Sequence, residues 1–182
     1  MANQFSYQVL KDDTQHAVIK LTGAFDGSGQ EDNVKKIVAN TLYGALATNG
    51  FPIANVFGGS ANTPLSYHGL YVNRVWYDIP SLTCDVQLYW ANTDVGVTAN
   101  AGVPLLLLQG NGEYDGNGNW ITIKNPSVTA NNNGDISLTT RGMVANSSYT
   151  IILELRKENA QYQRGQFNDP AAFNYPPFSL RP

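Results

Sequence analysis

Apolar residues recur at alternate positions over short stretches of this chain, the period of strands that bury one face, and Gly- and Asn-rich segments separate the stretches. In Ser148–Arg156, Tyr149, Ile151, Leu153 and Leu155 share one face. Thr150, Ile152, Glu154 and Arg156 share the other, so the charged end marks the outer side. In Thr83–Trp90, Cys84, Val86, Leu88 and Trp90 oppose Asp85, Gln87 and Tyr89. These two strands are expected near the centre of the core. Further strands are read at Gln4–Leu10, Ala17–Thr22, Val34–Asn40, Leu70–Ile79, Pro104–Gln109, Asn119–Lys124 and Asp135–Thr139.

Turns are expected at Asp26–Asn33, Phe57–Pro64, Ala91–Gly96, Gly110–Asn119 and Ala130–Asp135. Leu70–Ile79 is partly apolar on both faces, with Leu70, Val72 and Trp76 opposite Tyr71, Val75, Tyr77 and Ile79, which predicts a strand covered on both sides, on one of them by the segment after Lys157. Lys35–Thr48 could set Ile37, Thr41, Ala45 and Thr48 along one side of a helix, but its β-branched residues and Gly44 favour a strand followed by a loop. The sum is an all-β chain folded as an antiparallel β-sandwich.

The pattern ends at Lys157. Lys157–Pro182 holds Tyr162, Phe167, Phe173, Tyr175 and Phe178 among four prolines and many amides, too aromatic for a disordered tail and too proline-rich for a strand or helix. The chain therefore reads as a sandwich domain over residues 1–157 and an extended arm over residues 158–182. Such an arm gains stability only on another surface, either its own body or a neighbouring subunit.

Of the 182 residues, 42% are hydrophobic and 14% charged, so the chain can build a sizeable core under a neutral, hydrogen-bonding surface. A net charge of −3 without any Lys/Arg cluster argues against nucleic acid as a partner. The longest apolar stretch, Val103–Leu108, is too short to cross a bilayer, and the start of the chain lacks a signal-peptide pattern, so neither a membrane nor secretion is expected. Cys84 is the only cysteine, which excludes an intrachain disulfide and predicts a buried small hydrophobe.

Enzymatic motifs are not apparent, and no catalytic residue, cofactor or metal is assigned. His16 and His68 fall in or beside expected turns and read as exposed histidines with no nucleophile motif nearby. Glu113, Asp115 and Asp135 could supply a carboxylate pair, but nothing in the sequence sets their spacing in the fold. Glu113–Gly118 alternates Glu, Asp and Asn with Gly in the sixth position, as in a calcium loop, yet Lys124 stands where the twelfth ligand belongs. A hairpin turn explains the same residues. Asp26, Ser28, Gln30 and Asp32 likewise read as a solvated turn. Exposed aromatics among amides can bind sugars, and Trp120 after the Gly/Asn loop is the fair candidate, since Trp76 and Trp90 lie in strand patterns that favour the core.

Four segments, Ile19–Asn40, Val75–Thr93, Leu105–Asp115 and the pair Gly134–Thr140 with Ser148–Lys157, resemble small virion structural proteins of tailed bacteriophages, cyanophages in particular. The resemblance covers most of the body, in order, and departs at the arm. It implies a jelly-roll-like sandwich subunit of the virion, assembled in the host cytoplasm, with decoration or cementing of the capsid surface as its duty. The implied partners are the major capsid protein or other virion proteins and further copies of the chain, a trimer being one such form. A neck or tail position, or a carbohydrate-binding host-adhesion module, is the alternative. A disulfide-free body suits folding in a reducing cytoplasm, and an array of modest contacts suits a shell. Tyr162, Phe167, Phe173, Tyr175 and Phe178 are the expected anchors of the arm at an interface.

Overall fold

Because side chains alternate across a strand, two sheets whose inner faces are Val, Ile and Leu bury those faces against each other. The computed structural model describes residues 2–48, 53, 63–81, 83–92, 102–115, 123–124 and 132–162, and forms such a sandwich. Its strands are β1 (Gln4–Asp12), β2 (His16–Ala24), β3 (Val34–Ile37), β4 (Leu70–Ile79), β5 (Asp85–Asn92), β6 (Val103–Leu108), β7 (Gly110–Asp115), β8 (Ile123–Lys124), β9 (Asn132–Arg141) and β10 (Ser148–Lys157). One sheet runs β1-β2-β10-β4-β7, with β8 also beside β4; the other runs β3-β9-β5-β6. All pairings are antiparallel.

β10 and β5 take interior places in their sheets, as the alternation requires. Tyr149, Ile151, Leu153 and Leu155 face Cys84, Val86, Leu88 and Trp90 across a core in which none of the eight is more than 1% exposed. Each large aliphatic buried there contributes roughly 1.5–3 kcal/mol. Two inner-face glycines make room for tyrosines on neighbouring strands. A Cβ at Gly23 would lie 2.3 Å from the Tyr149 ring, and one at Gly112 would lie 2.6 Å from the Tyr77 hydroxyl.

The double-faced pattern of β4 has a source in its register, and the expected cover by the end of the chain falls on residues 163–182, outside the described residues. Its register with β10 pairs Glu154 with Arg74 but Leu155 with Val72, so Asn73 is an extra residue and the strand changes phase there. Leu70 and Val72 point inward before the bulge, and Val75 and Ile79 after it, all fully buried. Trp76 is thereby turned to the outer face, beside Ile152 and Glu113.

Two expected turns are strands. Gly110–Asp115 forms β7 on the edge of β4, where Gly112 and Tyr114 face inward and Asn111, Glu113 and Asp115 outward. β9 begins at Asn132, with Asn133 accepting the Asp135 backbone N–H at 3.0 Å on its own side chain. Local composition signalled a turn at both, and the ladder to a neighbouring strand overrode it. After β3 comes a short 3-10 turn, Ala39–Thr41, rather than a long helix. Of the strand expected at Asn119–Lys124, Ile123 and Lys124 pair with β4, and the rest lies outside the described residues.

Candidate interaction surfaces

The packed chain continues past the end of β10. Lys157 has a fully buried side chain, and its ammonium group donates to the Asp12 carboxylate, to the Asp13 carbonyl and, at 2.8 Å, to the Tyr43 carbonyl. Three N–H donors thus meet three oxygen acceptors. The other Asp12 oxygen accepts the Tyr43 backbone N–H at 2.9 Å. Burial lowers the Lys157 pKa despite the neighbouring Asp12.

Beyond Lys157, the Glu158 N–H donates to Gly69 at 2.9 Å and the Leu46 N–H donates to Gln161 at 2.9 Å. Gly69 permits this approach, since a Cβ there would lie 2.0 Å from the Glu158 carboxylate. Tyr162 bridges to Ala45, is 1% exposed, and donates its hydroxyl to the Ala39 carbonyl at 2.8 Å. Its ring meets the His68 imidazole edge-on with centroids 5.5 Å apart, and Lys157 Nζ lies 5.3 Å from its centre. Tyr162, expected as an interface anchor, therefore packs on its own sandwich. Phe167, Phe173, Tyr175 and Phe178 lie outside the described residues.

His68 is not the exposed histidine expected from its turn-like setting. It is 1% exposed, and its Nε2–H donates to the Leu46 carbonyl at 2.9 Å. Burial lowers its pKa, outweighing the Leu46 carbonyl and the Asp135 carboxylate, both of which favour the charged ring. The unfolded chain therefore binds the proton first. His68 contributes stability that is complete above its ordinary value of about 6.5 and is lost as pH falls from there through the lower folded value. Urea melts between pH 8 and 5 are expected to show this acid-side loss, and His68→Asn to flatten it. An unchanged slope in the variant would refute the assignment.

The carboxylates considered for catalysis are not brought together. Glu113 and Asp115 lie on β7 in the larger sheet, where Asp115 pairs with Arg74 at 3.3 Å. Asp135 is buried on β9 in the other sheet, accepting from Lys35 at 2.7 Å and from the Ala39 N–H at 2.7 Å. The calcium-like segment opens in strand β7, and its residues 116–118 lie outside the described residues. A second buried carboxylate, Glu31, accepts from Lys36 and, at 2.7 Å, from the Tyr149 hydroxyl. Burial and then Glu31 raise the Tyr149 pKa, so this tyrosine stays a neutral donor. Asp26 caps the Ser28 N–H at 2.8 Å, as in a simple turn. Cys84 is buried, with its thiol donating to Gly142 at 3.1 Å. Among the described residues no group of three or more His, Cys, Asp or Glu could hold a metal, and no helix is long and apolar enough to cross a membrane.

Two surfaces stand out. The first is β1, an edge strand whose Phe5, Tyr7 and Val9 pair with Gly23, Leu21 and Ile19. They share the inner side with a fully buried Leu21 and Ile19, yet are 43–45% exposed. Phe5 meets the Phe25 ring edge-on with centroids 5.4 Å apart and has Lys36 Nζ of β3 4.7 Å above its ring, so the smaller sheet covers this outermost strand only in part. The second is the outer face of the larger sheet around Trp76. Of the three tryptophans, Trp90 is in the core and Trp120 is outside the described residues, so the partly exposed indole is Trp76, which the strand pattern had favoured as core. The bulge at Asn73 escaped that pattern. Comparison of the chain with protein-family models, with curated proteins and with solved structures gave no match.

Proposed function

We propose that this protein is a structural subunit of a tailed-phage particle, a decoration or cement protein on the capsid surface that binds the major capsid protein and further copies of itself. The observation that carries the reading is β1. Gln4–Val9, QFSYQV, has no charge and no proline, a free edge among the described residues, and a stripe of Phe5, Tyr7 and Val9 that stays 43–45% exposed although Lys36 of the second sheet reaches over Phe5. Edges of this kind are normally blunted by charge or covered, because they template pairing with another chain. A subunit whose work is adhesion to protein surfaces accounts for it. The strand order supports the jelly-roll reading that the sequence resemblance implies. β2-β10-β4-β7 faces β3-β9-β5-β6, and the chain changes sheet between β2 and β3, β3 and β4, β4 and β5, β6 and β7, β8 and β9, and β9 and β10.

Phe167, Phe173, Tyr175 and Phe178 are assigned to the same task, as anchors of an arm on a neighbouring subunit. Quantitative mass spectrometry of purified particles is expected to find the chain in many copies, and electron microscopy to place it on the head, the other placement being neck or tail. Phe5→Lys with Tyr7→Lys is expected to lower particle occupancy at least tenfold while the variant's circular dichroism stays that of a folded sandwich. Particles that lack the protein altogether would end the proposal.

A further inference from the structure

We infer that the outer face of the larger sheet carries a binding site for a neutral glycan, with Trp76 as its stacking platform. The register places Lys20, Ile152, Trp76 and Glu113 in one row across four strands, and Thr22, Thr150, Asp78 and Asn111 in the next. Trp76, Ile152, Asp78, Asn111, Glu113 and Thr150 line a shallow depression of about 620 Å³. That volume is within the usual range for small-ligand sites, and its openness suits one or two sugar rings lying flat.

The chemistry of the lining selects the ligand class. The indole, extended by Ile152, offers an apolar floor to the C–H face of a pyranose. Asp78 and Glu113 accept from sugar hydroxyls, while Asn111 and Thr150 both donate and accept. None of these four side chains is bonded to another described residue, so their hydrogen-bonding capacity is available. Among the described residues the rim carries two carboxylates and no cation. Arg74, two residues before Trp76, is held by Asp115 at 3.3 Å, and Lys20 lies on the far side of Ile152. Uronic and sialic acids are disfavoured by this local negative charge. A lysine-rich peptide is the less fitting ligand, because ion pairs to exposed carboxylates are worth little and leave Asn111 and Thr150 unused. The inference does not depend on the virion reading and survives its failure.

The test uses the full chain. Proton–nitrogen NMR titration with methyl glycosides of glucose, galactose and N-acetylglucosamine, and with short oligomers of each, is expected to give millimolar binding to at least one, with shifts at the Trp76 indole N–H. Trp76→Ala is expected to weaken that binding at least tenfold without lowering the melting temperature, and Trp76→Phe to retain part of it. Asp78→Asn and Glu113→Gln are expected to weaken it severalfold. No neutral glycan bound at these concentrations, binding that survives Trp76→Ala, or binding of an oligolysine peptide in preference to neutral sugars would each overturn the inference.

Discussion

A chain cut after Lys157 is expected to melt well below one cut after Tyr162, although the two differ by five residues. Glu158 to Tyr162 close the end of the sandwich: the Glu158 N–H is held by Gly69, the Gln161 carbonyl by Leu46, and Tyr162 lies buried between Ala39, Ala45 and His68. Removing a buried aromatic of this size costs roughly 3–5 kcal/mol. For a domain of this length that is about 6–20 °C in melting temperature. The Ala39 carbonyl and the His68 ring would lose their partner as well. Tyr162→Ala in the full chain is expected to reproduce most of the loss, and Tyr162→Phe only about 1 kcal/mol, the worth of its hydrogen bond. Thermal melts of the two truncations decide the matter. Equal melting temperatures would show that these residues are not a strap of the body.

Lys157→Met is expected to destabilise the fold by about 3–5 kcal/mol, more than its isosteric shape suggests. The side chain is fully buried, and its three acceptors come from Asp12, Asp13 and Tyr43. Methionine fills much of the space but leaves Asp12, itself only 19% exposed, as a largely buried anion with the Tyr43 N–H for company. The cost is therefore one of an uncompensated charge and two orphaned carbonyls rather than of a cavity. Adding Asp12→Leu removes the stranded carboxylate, so the double variant is expected to be more stable than Lys157→Met alone. A double-mutant cycle from urea unfolding measures this coupling. Additive losses would show that the pair is not linked. The cluster also fastens the β1–β2 end of the sheet to the loop after β3 and to the chain's exit from β10.

Much of the architecture was legible because burial on one face writes itself as a period of two. Tyr149, Ile151, Leu153 and Leu155 on β10, and Cys84, Val86, Leu88 and Trp90 on β5, are buried as their alternation required. The pattern failed where that link between parity and face broke. At β4 one extra residue, Asn73, reversed the parity, so a strand that looked apolar on both sides is core on one side and presents Trp76 on the other. At β7 the residues GNGEYD carry one inward side chain larger than hydrogen, and only the ladder to β4 makes them a strand. His68 and Tyr162 were misjudged for a related reason. Both lie in sequence that looks like loop, and both are buried by segments distant along the chain.

Sequence by itself determined the all-β class, the inward faces of the central strands, the solitary buried cysteine and the unusual neutrality of the surface, since each follows from composition or from local alternation. The tertiary structure alone decided that Phe5, Tyr7 and Val9 are left partly exposed, that Trp76 faces outward among two carboxylates and an amide, and that Lys157 and Tyr162 latch the end of the body. Those depend on how far one sheet overhangs the other and on which distant carbonyls meet a buried side chain, and neither quantity is written in a local pattern.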